Sequence, residues 1–314
     1  MKYRMLKKFL MMIAAVVLSV LVVGCAADAD DTGLDKPDPM PEPPVARVEY
    51  IIIRGTTYRT TLTELDLSGD GLTSEEFELL KHMRNLTNLD LSNWGADGDI
   101  SDLTPLAGLV NLRSLSLHNS NVRDLAPLEG LVNLEFLTLG NNNISDLSPL
   151  AGLVNLEQLF LPANNISDLS PLAGLVNLEH LWLSGNDIGN LTALAGLVNL
   201  ESLSLSLTRV SDLSPLAGLA NLESLDLHGN RISDLAPLAG LVSLRDLVLT
   251  ANDIGDLAPL AGLVSLRDLE LGLNNISDLS PLAGLVNLRL LTLRENNITD
   301  WSPVAHVLIV SGRP

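Results

Sequence analysis

The sequence has a shortage of positive charge. Its 19 lysine and arginine residues are set against 38 aspartate and glutamate residues, which gives a formal net charge of −19 at pH 7. The phosphates of a nucleic acid would be repelled by such a chain, so the charge argues against a nucleic-acid partner. The simplest interpretation of the excess is solubility through self-repulsion, which we favour over a specific cationic ligand.

Aromatic residues and cysteine are also scarce. Aromatic side chains make up 3% of the chain although 46% of its residues are hydrophobic, because leucine at fixed spacing supplies nearly all the apolar surface. We therefore expect a core of leucine rather than of rings. The only cysteine is Cys25. No internal disulfide can form, so packing must hold the chain together.

The first 24 residues have the order of a secretory signal peptide. Four basic residues within the first eight positions precede an apolar run of about 15 residues, which ends at Gly24 and Cys25. That run is shorter than the roughly 20 residues that a bilayer-spanning helix needs. An uncleaved transmembrane anchor is therefore the less favoured alternative.

Residues 22–25 resemble the bacterial lipobox, which implies cleavage before Cys25 and attachment of a diacylglycerol to its sulfur. Residues 25–44 then comprise the lipidated cysteine and a tether rich in Asp and Pro, which we expect to be disordered. The predicted protein is exported and lipid-anchored to the cell envelope. The anchor lies in the outer membrane if the bacterium has one, and otherwise at the outer face of the cytoplasmic membrane.

The rest of the chain repeats with a period of 22 residues. Leucine pairs spaced L-x-L recur eleven times between Leu65 and Leu293. A proline column accompanies them, at Pro105, Pro127, Pro149, Pro171, Pro215, Pro237, Pro259 and Pro281, with Ala193 in one place and Pro303 last. A period of that length predicts a solenoid of stacked turns rather than a globule around one centre. We assign the repeat array to residues 92–303.

Both ends of the array are predicted to carry caps. Residues 45–91 are expected to form a β-hairpin that turns at Arg54 and Gly55, followed by a first, more helical repeat. In that repeat Thr73 and Glu76 have the spacing of a capping box. Residues 304–314 are expected to form a short C-terminal cap.

The segment 66–71, DLSGDG, invites comparison with a calcium-binding loop. The spacing from Asp66 would require a bidentate acid at the position of Phe77, which has no carboxylate. The same residues fit a repeat strand without adjustment. The cap interpretation is therefore favoured over a calcium site, and no metal site is predicted.

Polar columns run through the repeats. In most repeats an asparagine stands three residues beyond the leucine pair, with Ser120 and Thr208 as replacements, and is predicted to bond backbone groups of adjacent turns. The isoleucine two residues after each of these asparagines is predicted to point inward. An aspartate column from Asp102 to Asp300 is predicted to form Asx turns, in preference to a metal ladder. In most repeats a hydroxyl residue precedes the proline, as in Ser148-Pro149, and is predicted to cap a short 3₁₀ helix.

Residues 142–156, NNISDLSPLAGLVNL, resemble the leucine-rich repeat of bacterial internalin-like surface proteins, and the likeness covers about residues 62–303. The resemblance implies an α/β solenoid, a right-handed horseshoe with a concave parallel β-sheet and short 3₁₀ helical turns on its convex side. It also implies a protein-binding role. Unlike the typical internalin, the sequence shows no recognisable immunoglobulin-like module or sorting motif after the repeats.

Positions that vary between repeats are where specificity can reside. The residues that flank the first leucine of each pair face away from the core. Three of them, Phe136, Phe160 and Trp182, place aromatic side chains on consecutive turns, which is typical of an interface hot spot. The alternative is that neighbouring rings merely cover one another. The predicted partner-binding residues are Phe136, Gln158, Phe160, His180, Trp182, Ser204 and Asp226.

Catalysis finds little support in the sequence. His118, His180 and His228 are too far apart in sequence to pair, and no nucleophile elbow, phosphate loop or zinc pair is recognisable. We therefore predict a non-catalytic protein without a cofactor. It would be a surface-anchored adhesin or receptor that binds a protein of a host or bacterial surface on its concave face. A carbohydrate-binding module that uses the concave aromatic residues is the alternative, and an enzyme is the least favoured.

Overall fold

The computed structural model describes residues 48–69, 72–92 and 102–313. The strands of these residues are β1 (Tyr50–Ile53), β2 (Thr56–Arg59), β3 (Glu64–Asp66), β4 (Asn88–Asp90), β5 (Ser114–Ser116), β6 (Phe136–Thr138), β7 (Gln158–Phe160), β8 (His180–Trp182), β9 (Ser202–Ser204), β10 (Ser224–Asp226), β11 (Asp246–Val248), β12 (Asp268–Glu270), β13 (Leu290–Thr292) and β14 (Ile309–Ser311). The α-helix is α1 (Ser74–Glu78). The 3₁₀ helices are Leu79–His82, Thr104–Leu106, Ala126–Leu128, Ser148–Leu150, Ser170–Leu172, Thr192–Leu194, Ser214–Leu216, Ala236–Leu238, Ala258–Leu260, Ser280–Leu282 and Ser302–Val304.

The predicted hairpin is present and is fastened to the first helix. β1 and β2 pair antiparallel around Arg54 and Gly55, whose φ angles of 50° and 72° suit a two-residue hairpin turn. The Arg54 N–H donates to Oε1 of Glu76 at 2.7 Å. Glu76 also completes the predicted capping box, because its Oε2 accepts from the Thr73 N–H and Thr73 Oγ1 accepts from the Glu76 N–H, both at 3.2 Å. One carboxylate therefore joins the hairpin to α1.

The remaining strands form one twelve-stranded parallel sheet in sequence order, from β3 to β14. Between β5 and β13, each residue pairs with the residue 22 positions later, as Ser114 pairs with Phe136. The eleven leucine pairs account for β3 to β13. The twelfth strand comes from the predicted C-terminal cap, where Val310 pairs with Leu291 in the place of a leucine. The solenoid predicted from the period is the fold observed.

The core is a column of leucine side chains. In each turn from β3 to β13 the central strand residue and the residue after the strand are buried, as Leu159 and Leu161 are in the turn of β7. The isoleucine column is fully buried as predicted, except for Ile298 in the last turn, which packs partly buried against the core. Full burial of one leucine contributes roughly 1.5–3 kcal/mol. Among the described residues, Phe77 is the only buried aromatic side chain.

The buried asparagine column makes the predicted backbone contacts. Oδ1 of Asn142 accepts from the N–H groups of Ser120 and Val122 at 3.0 and 2.9 Å. Its Nδ2 donates to the carbonyl oxygens of Leu117 and Leu139, both at 2.8 Å. Each asparagine thus binds backbone groups of its own turn and of the preceding turn. Parallel strands of three residues leave these groups without partners, so the column extends the pairing of the sheet.

A second asparagine column, which sequence reasoning missed, lies on the exposed side of the turns. Nδ2 of Asn155 donates to the carbonyl oxygen of Val132 at 2.8 Å. The same contact to the preceding turn is made by Asn133, Asn177, Asn199, Asn221 and Asn287. These side chains are exposed, so their bonds are open to competition from water.

The structure confirms the Asx turns but corrects the predicted serine caps. Oδ1 of Asp146 accepts from the Ser148 N–H at 2.8 Å, and each aspartate of the column makes the equivalent bond. The prediction that the Ser148 hydroxyl caps the 3₁₀ helix is wrong, because the helix begins at Ser148 itself and Leu147 precedes it without a side-chain cap. The Leu150 N–H that a cap would bind already donates to the Leu147 carbonyl oxygen.

Several predictions concern residues outside the described ranges. They are the signal peptide (1–24), the lipidated Cys25 and the tether (25–44). The other domain boundaries, 45–91, 92–303 and 304–314, also stay predictions. In the part of the chain that the structure describes, no helix has the length and apolar character needed to cross a membrane.

Candidate functional site

The sheet of the solenoid presents one face to solvent, which we call the sheet face. It consists of the residues that flank the central leucine of each three-residue strand from β3 to β13. Successive side chains of a strand point to opposite sides, so burial of the leucine directs both neighbours outward. The structure places all seven predicted partner-binding residues on the sheet face of five consecutive strands, β6 to β10.

The aromatic residues of β6 to β8 form a contiguous group, the aromatic cluster of Phe136, Phe160 and Trp182. The ring centroids of Phe136 and Phe160 lie 5.5 Å apart in an edge-to-face arrangement with an interplanar angle of 69°. Phe160 pairs in register with Trp182, and their centroids lie 4.7 Å apart with an angle of 55°. Such contacts hold the rings in fixed relative positions.

Exposure differs within the aromatic cluster. Phe136 and Phe160 are partly buried, whereas 46% of the surface of Trp182 remains accessible. Mutual covering therefore accounts for part of the two phenylalanine surfaces and leaves the indole largely open. An indole is a large apolar surface with one hydrogen-bond donor, which is a common anchor at protein interfaces.

A hydrogen-bonded polar chain continues the site beyond Trp182. The hydroxyl oxygens of Ser184 and Ser204 lie 2.6 Å apart. Ser204 donates to Oδ2 of Asp226 at 3.1 Å, while Oδ1 of Asp226 accepts from the His228 N–H at 3.0 Å. Two of the predicted residues, Ser204 and Asp226, are thus connected. Ser184 was missed because it lies beyond the strand, at a position that no pattern distinguishes.

The sheet face before the aromatic cluster is acidic and slightly hollow. A depression of about 340 Å³ there is lined by Glu64, Asp66, Asn88, Asp90, Ser114 and Ser116, with Leu65 and Leu89 beneath them. Hydrogen bonds from the Ser68 hydroxyl and N–H hold the pKa of Asp66 below its usual value. The remaining acid of the calcium-loop comparison, Asp70, lies outside the described residues. Within the described ranges, no group of three or more His, Cys, Asp or Glu side chains could hold a metal ion.

Charged residues line the edge of the sheet face where the strands begin. We call five of them the glutamate row, which occupies one position of five consecutive turns: Glu135, Glu157, Glu179, Glu201 and Glu223. Three further turns carry Arg245, Arg267 and Arg289 at the same position, which we call the arginine row. The spacing was visible in the sequence as a recurrence every 22 residues, but sequence reasoning did not use it.

The glutamate row is neutralised only at its ends. Arg113 forms an ion pair with Glu135, and Arg245 forms one with Glu223. The three middle members, Glu157, Glu179 and Glu201, are exposed, and among the described residues no cationic side chain lies within ion-pair distance of them. Three unneutralised carboxylates therefore stand beside the aromatic cluster.

Acidic and basic groups alternate at the other end of the sheet face. Burial, followed by the neighbouring Asp268 carboxyl, raises the pKa of Asp246 above its usual value, while Arg267 and Arg245 act in the opposite direction. Asp246 and Asp268 pair in register on β11 and β12. This end of the sheet face is therefore locally balanced in charge.

The three histidines named in the sequence analysis are not brought together. His180 lies on the sheet face of β8, whereas His118 and His228 follow the ends of β5 and β10, so at least one strand separates any two of them. Each is an isolated polar residue on a regular sheet. Such an arrangement offers contact residues rather than a paired acid and base.

Comparison with known proteins places this arrangement in a family. The family model described as Leucine Rich repeats (2 copies) matches five overlapping segments, residues 132–174, 154–196, 176–218, 198–240 and 220–262. The crystal structure of internalin C2 from Listeria monocytogenes is 41% identical, with a TM-score of 0.56 over 59% of this chain and 82% of that one. The chain belongs to the leucine-rich-repeat family.

Other leucine-rich-repeat structures share the fold. An internalin, InlF, from Listeria monocytogenes is 30% identical, with a TM-score of 0.64 over 83% of this chain and 91% of that one. The leucine-rich-repeat ectodomain of the membrane receptor kinase GASSHO1/SCHENGEN3 from Arabidopsis thaliana is 29% identical, with a TM-score of 0.65 over 75% of this chain and 30% of that one. No curated protein sequence matches the chain. Leucine-rich-repeat proteins of this kind generally bind other proteins and are generally not enzymes.

Proposed function

We propose that this leucine-rich-repeat protein is a lipid-anchored surface protein that binds a protein partner on its sheet face. Its role is that of an adhesin or receptor, and it is not catalytic. The observation that carries the proposal is the aromatic cluster, in which Trp182 remains 46% accessible although the chain has few aromatic residues. Large rigid aromatic side chains at the centre of a surface dominate the affinity of many protein interfaces.

The regular scaffold supports this use of the sheet face. Backbone pairing fixes Phe160 opposite Trp182, and ring contacts fix Phe160 against both Phe136 and Trp182, so little side-chain freedom is lost on binding. Family membership agrees with the proposal, since the plant receptor ectodomain is described in complex with CASPARIAN STRIP INTEGRITY FACTOR 2.

A glycan is the alternative partner. The exposed face of Trp182, next to the hydroxyl and carboxylate groups of Ser204 and Asp226, could stack on a sugar ring and bond its hydroxyls. The tilt of 55° between Phe160 and Trp182 argues against this, because the two rings do not make one flat platform. A glycan array distinguishes the two partners.

Affinity capture with wild-type protein and the double variant Phe160→Ala/Trp182→Ala tests the proposed surface. We expect the double variant to lose partner binding while its thermal transition stays nearly unchanged, because both side chains lie outside the leucine core. Tyr50→Ala, which removes an exposed aromatic side chain from the hairpin, is the control and should bind normally. Unchanged capture by the double variant, or a large loss of stability, would contradict the proposal.

The lipid anchor is tested separately. Cys25→Ser removes the sulfur that would carry the diacylglycerol, so the protein should no longer fractionate with membranes or incorporate labelled fatty acid. Membrane association that persists in this variant would show that another segment anchors the chain.

A further inference from the structure

We infer that the partner of the sheet face presents a cationic protein segment, whose lysine or arginine side chains lie over Trp182 and against the glutamate row. This inference rests on the proposed function and names the chemistry of the partner. It combines an open aromatic surface with unneutralised carboxylates beside it.

The middle members of the glutamate row lie beside the aromatic cluster. Glu157 directly precedes Gln158, and Glu179 directly precedes His180, so the exposed part of the glutamate row adjoins the strands that carry Phe160 and Trp182. Neighbouring parallel strands lie about 4.8 Å apart, which brings like charges into repulsion along the row. A cation bound between successive carboxylates would relieve that repulsion.

The ends of the glutamate row show how the protein itself satisfies these carboxylates. Glu135 and Glu223, the first and last members, each pair with an arginine of the adjacent turn. A guanidinium one turn away is therefore within reach of this position. The middle members lack such a neighbour because the adjacent turns supply only more glutamate.

A second copy of the chain is a poorer occupant than a foreign cationic segment. Its row of cations along the sheet face is the arginine row, in which Arg245 and Arg267 directly precede the acids Asp246 and Asp268. Arg245 is already paired with Glu223. Docking the arginine row on the glutamate row would bring those acids against the carboxylates of the first copy.

Charge on the other side of the aromatic cluster favours the same partner. The depression on β3 to β5 carries Glu64, Asp66 and Asp90, and Asp226 lies beyond Trp182. Asp90 and Asp226 thus lie two strands from the nearest ring on either side of the aromatic cluster, and the face of an indole attracts cations as well. If the negative charge served solubility alone, the carboxylates would have no reason to lie near the aromatic cluster.

The test measures binding of a labelled octalysine peptide to the full protein by fluorescence anisotropy at low and high salt. The variant Glu157→Gln/Glu179→Gln/Glu201→Gln removes three charges from exposed side chains and should fold normally. We expect it to weaken binding on the order of tenfold, with a shallower dependence on salt. Phe160→Ala/Trp182→Ala should weaken octalysine binding further.

The matched control is Glu75→Gln/Glu129→Gln/Asp253→Asn, which removes three exposed charges away from the sheet face. We expect less than about a twofold change in this variant, because only the overall charge differs. Equal weakening in the two triple variants would mean that octalysine senses only net charge, and this would overturn the inference. Wild-type affinity in the glutamate-row variant would overturn it as well.

The outcome is separable from that of the proposed function. If the glutamate-row variant captures the partner as wild type does, while Phe160→Ala/Trp182→Ala does not, the partner is not cationic and the proposed function stands. If the aromatic variant captures the partner normally, the sheet face is not the binding surface, and the inference falls with the proposal.

Discussion

The turns and the sheet face are built from the same repeats, but the turns keep the same residues from repeat to repeat, whereas the sheet face changes them. On the turns, every aspartate of the column accepts the N–H group two residues later, and even Asn190, which replaces one of them, makes the same bond at 2.8 Å. On the sheet face the residue changes at almost every step, as in Phe136, Gln158 and His180. Repeated residues in this molecule therefore support the fold, whereas the residues available for specific binding are those that differ between repeats.

The largest expected difference in stability is between variants of two adjacent residues of β8, Leu181 and Trp182. Leu181→Ala should destabilise the protein by about 2–5 kcal/mol, because it opens a cavity in a fully buried core. Trp182→Ala should cost only about 1 kcal/mol, mainly the lost contact with Phe160. Urea unfolding of both variants gives the two values. Similar losses would place Trp182 in the core and remove the basis for a binding surface.

A second prediction separates the two asparagine columns. Asn164→Ala should cost about 1–3 kcal/mol, since it leaves the Ile144 N–H buried without an acceptor, although the Leu139 carbonyl oxygen still accepts from Asn142. The exposed Asn155→Ala removes one bond to Val132 and should cost no more than about 1 kcal/mol, because water can replace the amide. Chemical unfolding measures both. A larger loss of stability from Asn155→Ala than from Asn164→Ala would show that the exposed asparagine column contributes more to the stability of the array than the buried one.

The smallest expected effect concerns pH. Asp246 has a raised pKa, so its contribution to stability is complete below its unfolded pKa near 3.8 and is lost as the pH rises through the folded value. Asp246→Asn should therefore be slightly more stable than wild type at pH 7, and the gain should disappear near pH 3. Urea midpoints at both pH values check this.

Asp168, which lies on the turns, is the control, because its pKa is shifted in the opposite direction to that of Asp246. Hydrogen bonds from the Ser170 N–H and hydroxyl lower the pKa of Asp168, so its contribution is present above pH 3.8 and is lost as the pH falls through the lowered value. Asp168→Asn should be slightly less stable than wild type at pH 7, because an amide keeps the bond from the N–H, as Asn190 does, but loses the bond from the Ser170 hydroxyl. A greater gain from Asp168→Asn than from Asp246→Asn would contradict the assignment.

Periodicity made much of this architecture predictable. Once the leucine pairs are aligned, Phe160 must lie beside Trp182, and Asn142 must face backbone groups of its own turn and the preceding one. These are consequences of spacing alone, and the structure shows both. The hairpin and the capping box were equally predictable from the sequence, because each depends on residues that are close together in the chain.

Other features depend on competition between groups, which spacing does not reveal. The Ser148 cap failed because Asp146 and the helix backbone had already taken the available donors. The link from Ser184 through Ser204 to Asp226 depends on how two hydroxyl groups are oriented, and the 22-residue period does not determine that orientation. The strand β14 lacks the leucine signature, since Val310 takes its place by contact with β13.

The constant register from β5 to β13 also bears on how such a protein can change over time. Each of these turns offers its successor the same pattern of backbone groups that it receives from its predecessor. An in-frame duplication or deletion of one whole turn therefore leaves matching surfaces at the new junction. The array can be lengthened or shortened by recombination between its own repeats, and new sheet-face residues can then diverge on a copy whose fold is already secured.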